Sequence, residues 1–201
     1  MPNLRRLLPT REKVVAPCDV CGAGIPSEHD HLLEVSSGRL LCSCQACAIL
    51  FSNSQAGRFR RVPRQGELLQ DFQLTDAQWE SLLIPINLAF FYRSSAANRV
   101  IAVYPSPAGA TESLLELANW QELAVGNPVL DDLQPDVESL LVNRVGETRD
   151  HYRVSIDRCY ELIGLIRVHW RGLSGGREVW EEINAFFERL NTTIRKNALH
   201  V

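Results

Sequence analysis

The sequence predicts an α+β protein, with a small cysteine-rich module followed by a larger domain that has a mainly antiparallel sheet and two C-terminal helices. Five of the six cysteines fall between Cys18 and Cys47. Downstream, short apolar runs between turn residues indicate strands, and apolar residues at three- and four-residue steps near the C-terminus indicate helices. We therefore predict a basic arm over 1–16, the cysteine module over 17–56 and the α+β domain over 57–201.

Composition and charge narrow the class of protein. The chain has 201 residues, 45% hydrophobic and 22% charged, as in a soluble globular protein. Residues 1–64 carry nine basic and five acidic residues, whereas the remainder carries twelve and nineteen. This basic end is less dense than a nucleic-acid-binding footprint, which argues against a nucleic-acid partner. The sequence lacks an apolar run of membrane-spanning length and a signal-peptide core, so we predict a cytoplasmic protein without membrane insertion.

The cysteine module has the order of a treble-clef zinc finger. The Cys18-X-X-Cys21 pair is followed by Gly22, which is typical of a metal knuckle because glycine tolerates the positive φ of the turn. Two strand-like runs over 31–42 predict a hairpin. The second pair, Cys44-X-X-Cys47, opens a helix, where i, i+3 spacing places both sulfurs on one face.

We predict that Cys18, Cys21, Cys44 and Cys47 hold a structural zinc ion, because clustered cysteines in a reducing compartment are typical metal ligands. Four thiolates also bind iron, as in rubredoxin. Both rubredoxin pairs lie in loops, whereas the second pair here opens a helix. Zinc is therefore favoured over iron.

The fifth cysteine leaves alternatives open. Strand alternation places Cys42 and Cys44 on the same side, so Cys42 could replace Cys44 as a ligand, lie buried, or act as a reactive thiol. His29 and His31 are alternative ligands, with Asp30 able to orient an imidazole. Four thiolates already fill a tetrahedral shell, which favours polar histidines entering the hairpin. A role in metal handling or redox sensing is a further hypothesis for Cys42 and the two histidines.

The Asp30-His31 pair also matches the first element of an HNH nuclease. The second element of that motif is a histidine just inside the helix. In this sequence Ala48 follows Cys47, and neither His nor Asn stands in the next turn. Nuclease activity is therefore not favoured.

The acidic domain is predicted to contain about four strands with helices packed against them. Asp157 is expected to cap the first C-terminal helix, and Leu83 is expected on the apolar face of the helix that Thr75 opens. In chain order, the patterns predict a basic strand over 58–63, a helix from Thr75, a hairpin over 86–104, a loop over 105–112, a helix from Ser113 to about 125, strands over 137–142 and 151–154, and two C-terminal helices.

Two polar segments of this domain could bind a ligand. Ser106 and Glu112 belong to the loop, and Arg171 and Ser174 belong to the turn between the C-terminal helices. A pocket between them would make the protein a ligand-binding protein or an enzyme. A rigid loop and a turn between two helices also explain why these polar residues occur here, without any ligand. The sequence does not allow a nucleophile, a base and an orienting group to be placed together. The sequence therefore favours a protein without catalytic activity.

Longer runs resemble a bacterial family of unknown function. They are Leu88–Phe91, Arg93–Ala96, Tyr104–Ser113 and His169–Gly176, and the likeness extends from Cys18 to Leu190. Members of that family look to be encoded beside genes for [NiFe]-hydrogenases and their maturation proteins. The resemblance implies an accessory role in hydrogenase assembly or operation, with a hydrogenase subunit or maturation factor as the protein partner. It implies no active residues.

Overall fold

A computed structural model describes residues 16–51, 57–113, 117–172 and 175–198. The predicted basic arm, except for its last residue, and Ser174 lie outside the described residues. The described chain is α+β with antiparallel sheets and two C-terminal helices, as predicted. No described helix is long and apolar enough to cross a membrane.

The elements of the module come first in the chain. They are β1 (Ala16–Pro17), β2 (Gly24–Ile25), β3 (Asp30–Glu34), β4 (Arg39–Ser43), α1 (Gln45–Phe51) and β5 (Phe59–Arg61). The larger domain follows. Its elements are β6 (Glu67–Leu68), α2 (Asp76–Ser81), β7 (Leu88–Ser94), β8 (Arg99–Ser106), β9 (Gly109–Ser113), α3 (Leu117–Gly126), a 3₁₀ turn (Pro128–Leu130), β10 (Glu138–Asn143), β11 (Asp150–Ser155), α4 (Ile156–His169) and α5 (Gly176–Ala198).

The module contains a three-stranded sheet in the order β4-β3-β5. The predicted hairpin is confirmed as β3 and β4, with His31 opposite Cys42. β5 pairs with the other edge of β3, where Arg61 lies opposite Leu32. The predicted division after residue 56 would place β5 in the second domain, but its ladder hydrogen bonds are made with the module.

The larger domain contains a six-stranded sheet in the order β6-β11-β10-β7-β8-β9. The prediction of about four strands is wrong because β6 and β9 were missed. β6 is only two residues long. Residues 105–112 form a tight hairpin rather than a loop, in which Pro105 lies opposite Ala110. Pro105 is tolerated because it lies beyond the part of β8 that pairs with β7, where its missing N–H costs no ladder bond.

Helices cover both faces of this sheet. One core packs strand residues such as Phe90 under α4 and α5, and the other packs alternate residues such as Phe91 under α2 and α3. The predicted apolar stripes of the two C-terminal helices are confirmed. Their buried residues are Ile156, Cys159, Leu162, Ile163 and Ile166 in α4, and Val179, Ile183, Phe186, Phe187 and Leu190 in α5.

The helix starts agree with the sequence only in part. The capping box of α2 is confirmed, because Thr75 Oγ1 accepts from Gln78 N and the Gln78 side chain accepts from Thr75 N. Leu83, predicted on the buried face of α2, follows the end of the helix and is 65% exposed. The predicted helix to about 125 is confirmed as α3, but the capping partner expected for Ser113 lies outside the described residues.

Asp157 does not cap α4, contrary to prediction. Ser155 is the N-cap residue, and Asp157 lies in the first helical turn. Its carboxylate accepts a hydrogen bond from Ser155 Oγ and contacts His31 Nδ1 of the module at 2.8 Å. The Asp157 carboxylate therefore contacts His31 of the module and does not cap the helix, although the sequence pattern had predicted that it would.

The module packs directly on the larger domain. Leu33 of β3 and Val62, which follows β5, are buried in the core beneath α4 and α5. Arg60 of β5 pairs with the buried Asp136 at 3.2 Å and donates to Pro135 O. Apolar burial and a largely buried ion pair thus join the two parts.

His151 of β11 should make stability depend on pH. Burial, assisted by the Arg144 guanidinium, lowers the pKa of His151 to about 4. As pH falls below about 6.5, the unfolded chain gains a proton that the folded chain excludes, and stability is lost until the folded-state pKa is reached. We expect a loss of about 2 to 3 kcal/mol by about pH 4.5, measured by denaturant unfolding.

The control variant is His151→Leu, which should lose this component of the pH dependence. His169→Gln should retain it, because His169 lies in α4 and pairs with Glu178 at 2.9 Å. An identical pH profile in wild type and His151→Leu would contradict the assignment.

Candidate metal centre

The first cysteine pair lies in a tight turn between β1 and β2. Cys18 N donates to Ala23 O at 2.7 Å, and Gly22 N donates to Cys18 O at 2.9 Å. Gly22 has φ 76°, so the predicted positive φ behind the second cysteine is confirmed. These backbone bonds hold Cys18 and Cys21 on one turn of chain.

The second pair lies at the start of α1. Cys44 immediately precedes the helix and Cys47 lies in its first turn, as the i, i+3 spacing predicts. Ala48 N donates to Cys44 O at 2.9 Å, and Cys47 N contacts Cys44 Sγ at 3.5 Å. The helix start therefore fixes both sulfurs relative to each other.

The four sulfurs of Cys18, Cys21, Cys44 and Cys47, here called the four-cysteine cluster, lie within 4.8 Å of one another. All six cysteines are among the described residues, and none forms a disulfide. Cys21 Sγ and Cys44 Sγ are 3.7 Å apart. Two thiolates of a tetrahedral zinc site lie about 3.8 Å apart when each Zn–S bond is about 2.3 Å. The cluster could therefore hold a metal ion such as zinc.

Charge is unevenly shared within the cluster. Burial alone would raise the pKa of Cys18, but backbone hydrogen bonds from Cys44, Cys21 and Val20 outweigh it and lower the pKa to about 6. Burial and the neighbouring sulfurs raise the pKa of Cys47 to about 12. The protein therefore favours a thiolate at Cys18, and the negative charge there opposes ionisation of Cys47. A bound cation would remove the repulsion between the two thiolates.

Cys42 belongs to a different group from Cys44. β4 ends at Ser43, so Cys44 starts the helix and joins the four-cysteine cluster. The sulfur of Cys42 and one nitrogen each of His29 and His31 lie within 4.8 Å of one another. The chain therefore assembles two neighbouring groups of potential metal ligands, whereas the sequence analysis considered Cys42, His29 and His31 only as alternative ligands of the one predicted ion.

Asp30 does not orient an imidazole. Its buried carboxylate accepts from Arg61 at 3.1 Å and Arg64 at 3.0 Å. The carboxylate at His31 is Asp157, which lies 126 residues away in sequence. Burial opposes ionisation of Asp157, but hydrogen bonds from His31 and Ser155 lower the pKa of this carboxyl below its usual value. Nothing in the local sequence signals this contact.

The polar residues suggested as ligand-binding make local bonds. Ser106 Oγ donates to Gly109 O across the β8–β9 turn, Glu112 pairs with Arg99 of the neighbouring strand, and Arg171 donates to Val168 O and Trp170 O. An apolar cavity of 190 Å³ lies between the sheet and the C-terminal helices, where Pro105 and Trp170 both line it. Ser106, Glu112 and Arg171 are not among its lining residues.

The fold and the cluster define a class of protein, namely an α+β protein with a four-cysteine group able to hold a metal ion. The chain belongs to a family of unknown function, DUF5947, which matches residues 17–194. No curated protein and no solved structure shows significant similarity to the chain.

Proposed function

We propose that the four-cysteine cluster holds a structural zinc ion in a treble-clef-like module. The separation of 3.7 Å between the sulfurs of Cys21 and Cys44 is the observation that most directly supports a tetrahedral thiolate-bound ion, and the helix that begins after Cys44 favours zinc over iron. The small core of the module supports the same proposal. Its buried residues are Cys18, Ile25, Leu32, Leu41 and Cys47, so ligands make up part of the core itself. Such a core is too small to fold this segment without a crosslink or a metal.

We further propose that the protein is a non-catalytic accessory protein of the cytoplasm, which assists assembly or operation of a [NiFe]-hydrogenase through protein–protein contacts. The family resemblance motivates the choice of partner. The surface of α1 supports a contact role, because Leu50 is 75% exposed and Ile49 is 54% exposed beside the four-cysteine cluster. Neighbouring exposed apolar side chains are common at protein interfaces.

The test is affinity purification of the full-length protein from a host that expresses a [NiFe]-hydrogenase. We expect a hydrogenase subunit or a maturation factor to be recovered with the wild-type chain. Leu50→Glu should reduce the recovery by about tenfold or more, since a charge would be buried at the contact. Zinc content is measured on the same samples to show that the module is intact.

The matched control is Val125→Glu, which places the same charge on α3 at a residue that is 87% exposed. This variant should recover the partner as well as the wild type does. Absence of every hydrogenase and maturation component from the wild-type eluate would overturn the accessory role. Equal recovery with Leu50→Glu would overturn the role of α1.

A further inference from the structure

We propose that His29, His31 and Cys42 form a second metal site, which binds a divalent ion such as Zn²⁺ through three protein ligands and leaves a fourth coordination position open. The proposal is independent of the hydrogenase role and concerns a different set of ligands from the four-cysteine cluster. Imidazole and thiolate together suit Zn²⁺ and neighbouring first-row ions.

Sheet geometry brings these three residues together. His31 and Cys42 are directly opposite each other in the β3–β4 ladder, so their side chains emerge on the same face of the hairpin. His29 lies two residues before His31, which is the spacing that returns a side chain to the same face. The imidazole centroids are 4.9 Å apart. Two of the three ligands are therefore on paired strands, and His29 immediately precedes β3.

Each imidazole has a nitrogen left for a metal. His29 Nδ1 lies 3.0 Å from Pro26 O and 3.1 Å from Ser27 O. Carbonyl oxygens only accept, so Nδ1 carries the hydrogen and Nε2 carries the lone pair. That Nε2 is buried and has no hydrogen-bond partner among the described residues. A buried, unpartnered acceptor is costly, and a bound cation would relieve the cost.

His31 has the arrangement of a metal-binding histidine with a supporting carboxylate. Its Nδ1 lies 2.8 Å from Asp157 Oδ2, which favours the tautomer with Nδ1 protonated and directs Nε2 to a metal. A carboxylate behind a ligating histidine is the common means of orienting the ring. Asp157 belongs to α4, so the site spans the contact between the module and the larger domain.

The spacing of the ligand atoms fits binding after a small adjustment. The sulfur of Cys42 and one ring nitrogen from each of His29 and His31 lie within 4.8 Å of one another. In a tetrahedral zinc site with two nitrogens and one sulfur, the same atoms are about 3.3 to 3.6 Å apart, which side-chain rotation can provide.

The first test counts metal in the full-length protein. After loading with Zn²⁺ and gel filtration, we expect about two zinc ions per chain in the wild type and about one in His29→Ala and in Cys42→Ser. His169→Ala is the matched control, because this histidine pairs with Glu178 in the C-terminal helices. It should retain the wild-type content.

Cobalt spectroscopy separates the two sites. Co²⁺ in the four-cysteine cluster is bound by sulfur alone, whereas Co²⁺ at the proposed site has two nitrogens and one sulfur. Cys42→Ser should therefore remove one sulfur-to-cobalt charge-transfer contribution and leave the spectrum of the cluster unchanged. Hydrogen exchange of the β3–β4 hairpin, measured in parallel, shows whether each variant remains folded.

Asp157 acts as a positioning residue, and its variant keeps all three ligands. We expect Asp157→Asn to weaken Zn²⁺ binding at the second site by about 10- to 100-fold in competition with a chromogenic chelator. Asp131→Asn, a change at an exposed surface carboxylate, should leave the affinity unchanged. If His29→Ala unfolds the hairpin, the Zn²⁺ affinity of Asp157→Asn decides whether the second site exists.

A wild-type chain that binds a single ion, released only by changes in the four-cysteine cluster, would overturn the second site. Equal zinc content and affinity in folded His29→Ala, Cys42→Ser and Asp157→Asn would do the same. Failure to recover a hydrogenase partner does not affect this result, because the readout is metal binding alone.

Discussion

Cys47→Ser is expected to unfold the module and to release the ion of the four-cysteine cluster, together with any ion held by His29, His31 and Cys42 in the same segment. Cys47 is 6% exposed and contributes both a sulfur and part of the small apolar core. Structural zinc sites supply on the order of 10 kcal/mol to folding, which exceeds what this core provides alone. Residues 16–51 should lose their protection from hydrogen exchange. The six-stranded domain should remain folded because it has cores on both faces.

Metal analysis and hydrogen exchange on the same sample check this expectation, and chelation of the wild type should reproduce it. Cys159→Ser is the matched control, since Cys159 is fully buried in α4 with Ser139 Oγ at 3.0 Å. This variant should keep its metal, whatever it loses in stability. Unchanged metal content and unchanged protection in Cys47→Ser would refute a structural role for the cluster.

Phe91→Ala is expected to destabilise the larger domain by about 3 to 5 kcal/mol, the usual cost of a large cavity in a core. Phe91 lies in β7 and is fully buried. Its ring stacks on Trp120 with centroids 5.3 Å apart and meets Trp79 edge-on at 6.5 Å. Removing it leaves both indole rings without their common neighbour.

Denaturant unfolding followed by tryptophan fluorescence measures this loss. Val125→Ala is the control, because Val125 lies on α3 but is 87% exposed, and its truncation should change the free energy of unfolding by less than about 0.5 kcal/mol. Metal content should be unchanged in Phe91→Ala, since the module packs on the opposite face of the sheet. A loss below about 1 kcal/mol would show that the core is not organised around this ring.

Features governed by neighbouring residues could be predicted from the sequence. The knuckle at Cys18 and Cys21, the hairpin of β3 and β4, and the capping box at Thr75 all depend on contacts within a few residues. The C-terminal helices were predictable for the same reason, because helical periodicity places their apolar residues on one stripe. Local spacing also identified the four cysteines that the structure brings together.

Edge strands were harder to predict because their pairing depends on distant partners. β9 was read as a loop since proline and glycine usually end strands, yet it pairs along β8 beyond the end of β7. β6 consists of two residues that pair with β11, and such a segment has no detectable alternation. Only the assembled sheet reveals either strand.

By itself, the sequence determined the class of fold, the four-cysteine cluster and the helical stripes, because each depends on the spacing of residues close along the chain. The tertiary structure decided that Cys42, His29 and His31 form a group separate from the four-cysteine cluster. It separated Cys42 from Cys44 at the end of β4 and placed Asp157 against His31 across 126 residues. Sequence patterns cannot predict the contact between Asp157 and His31, because only the packing of α4 against the module brings these two side chains together.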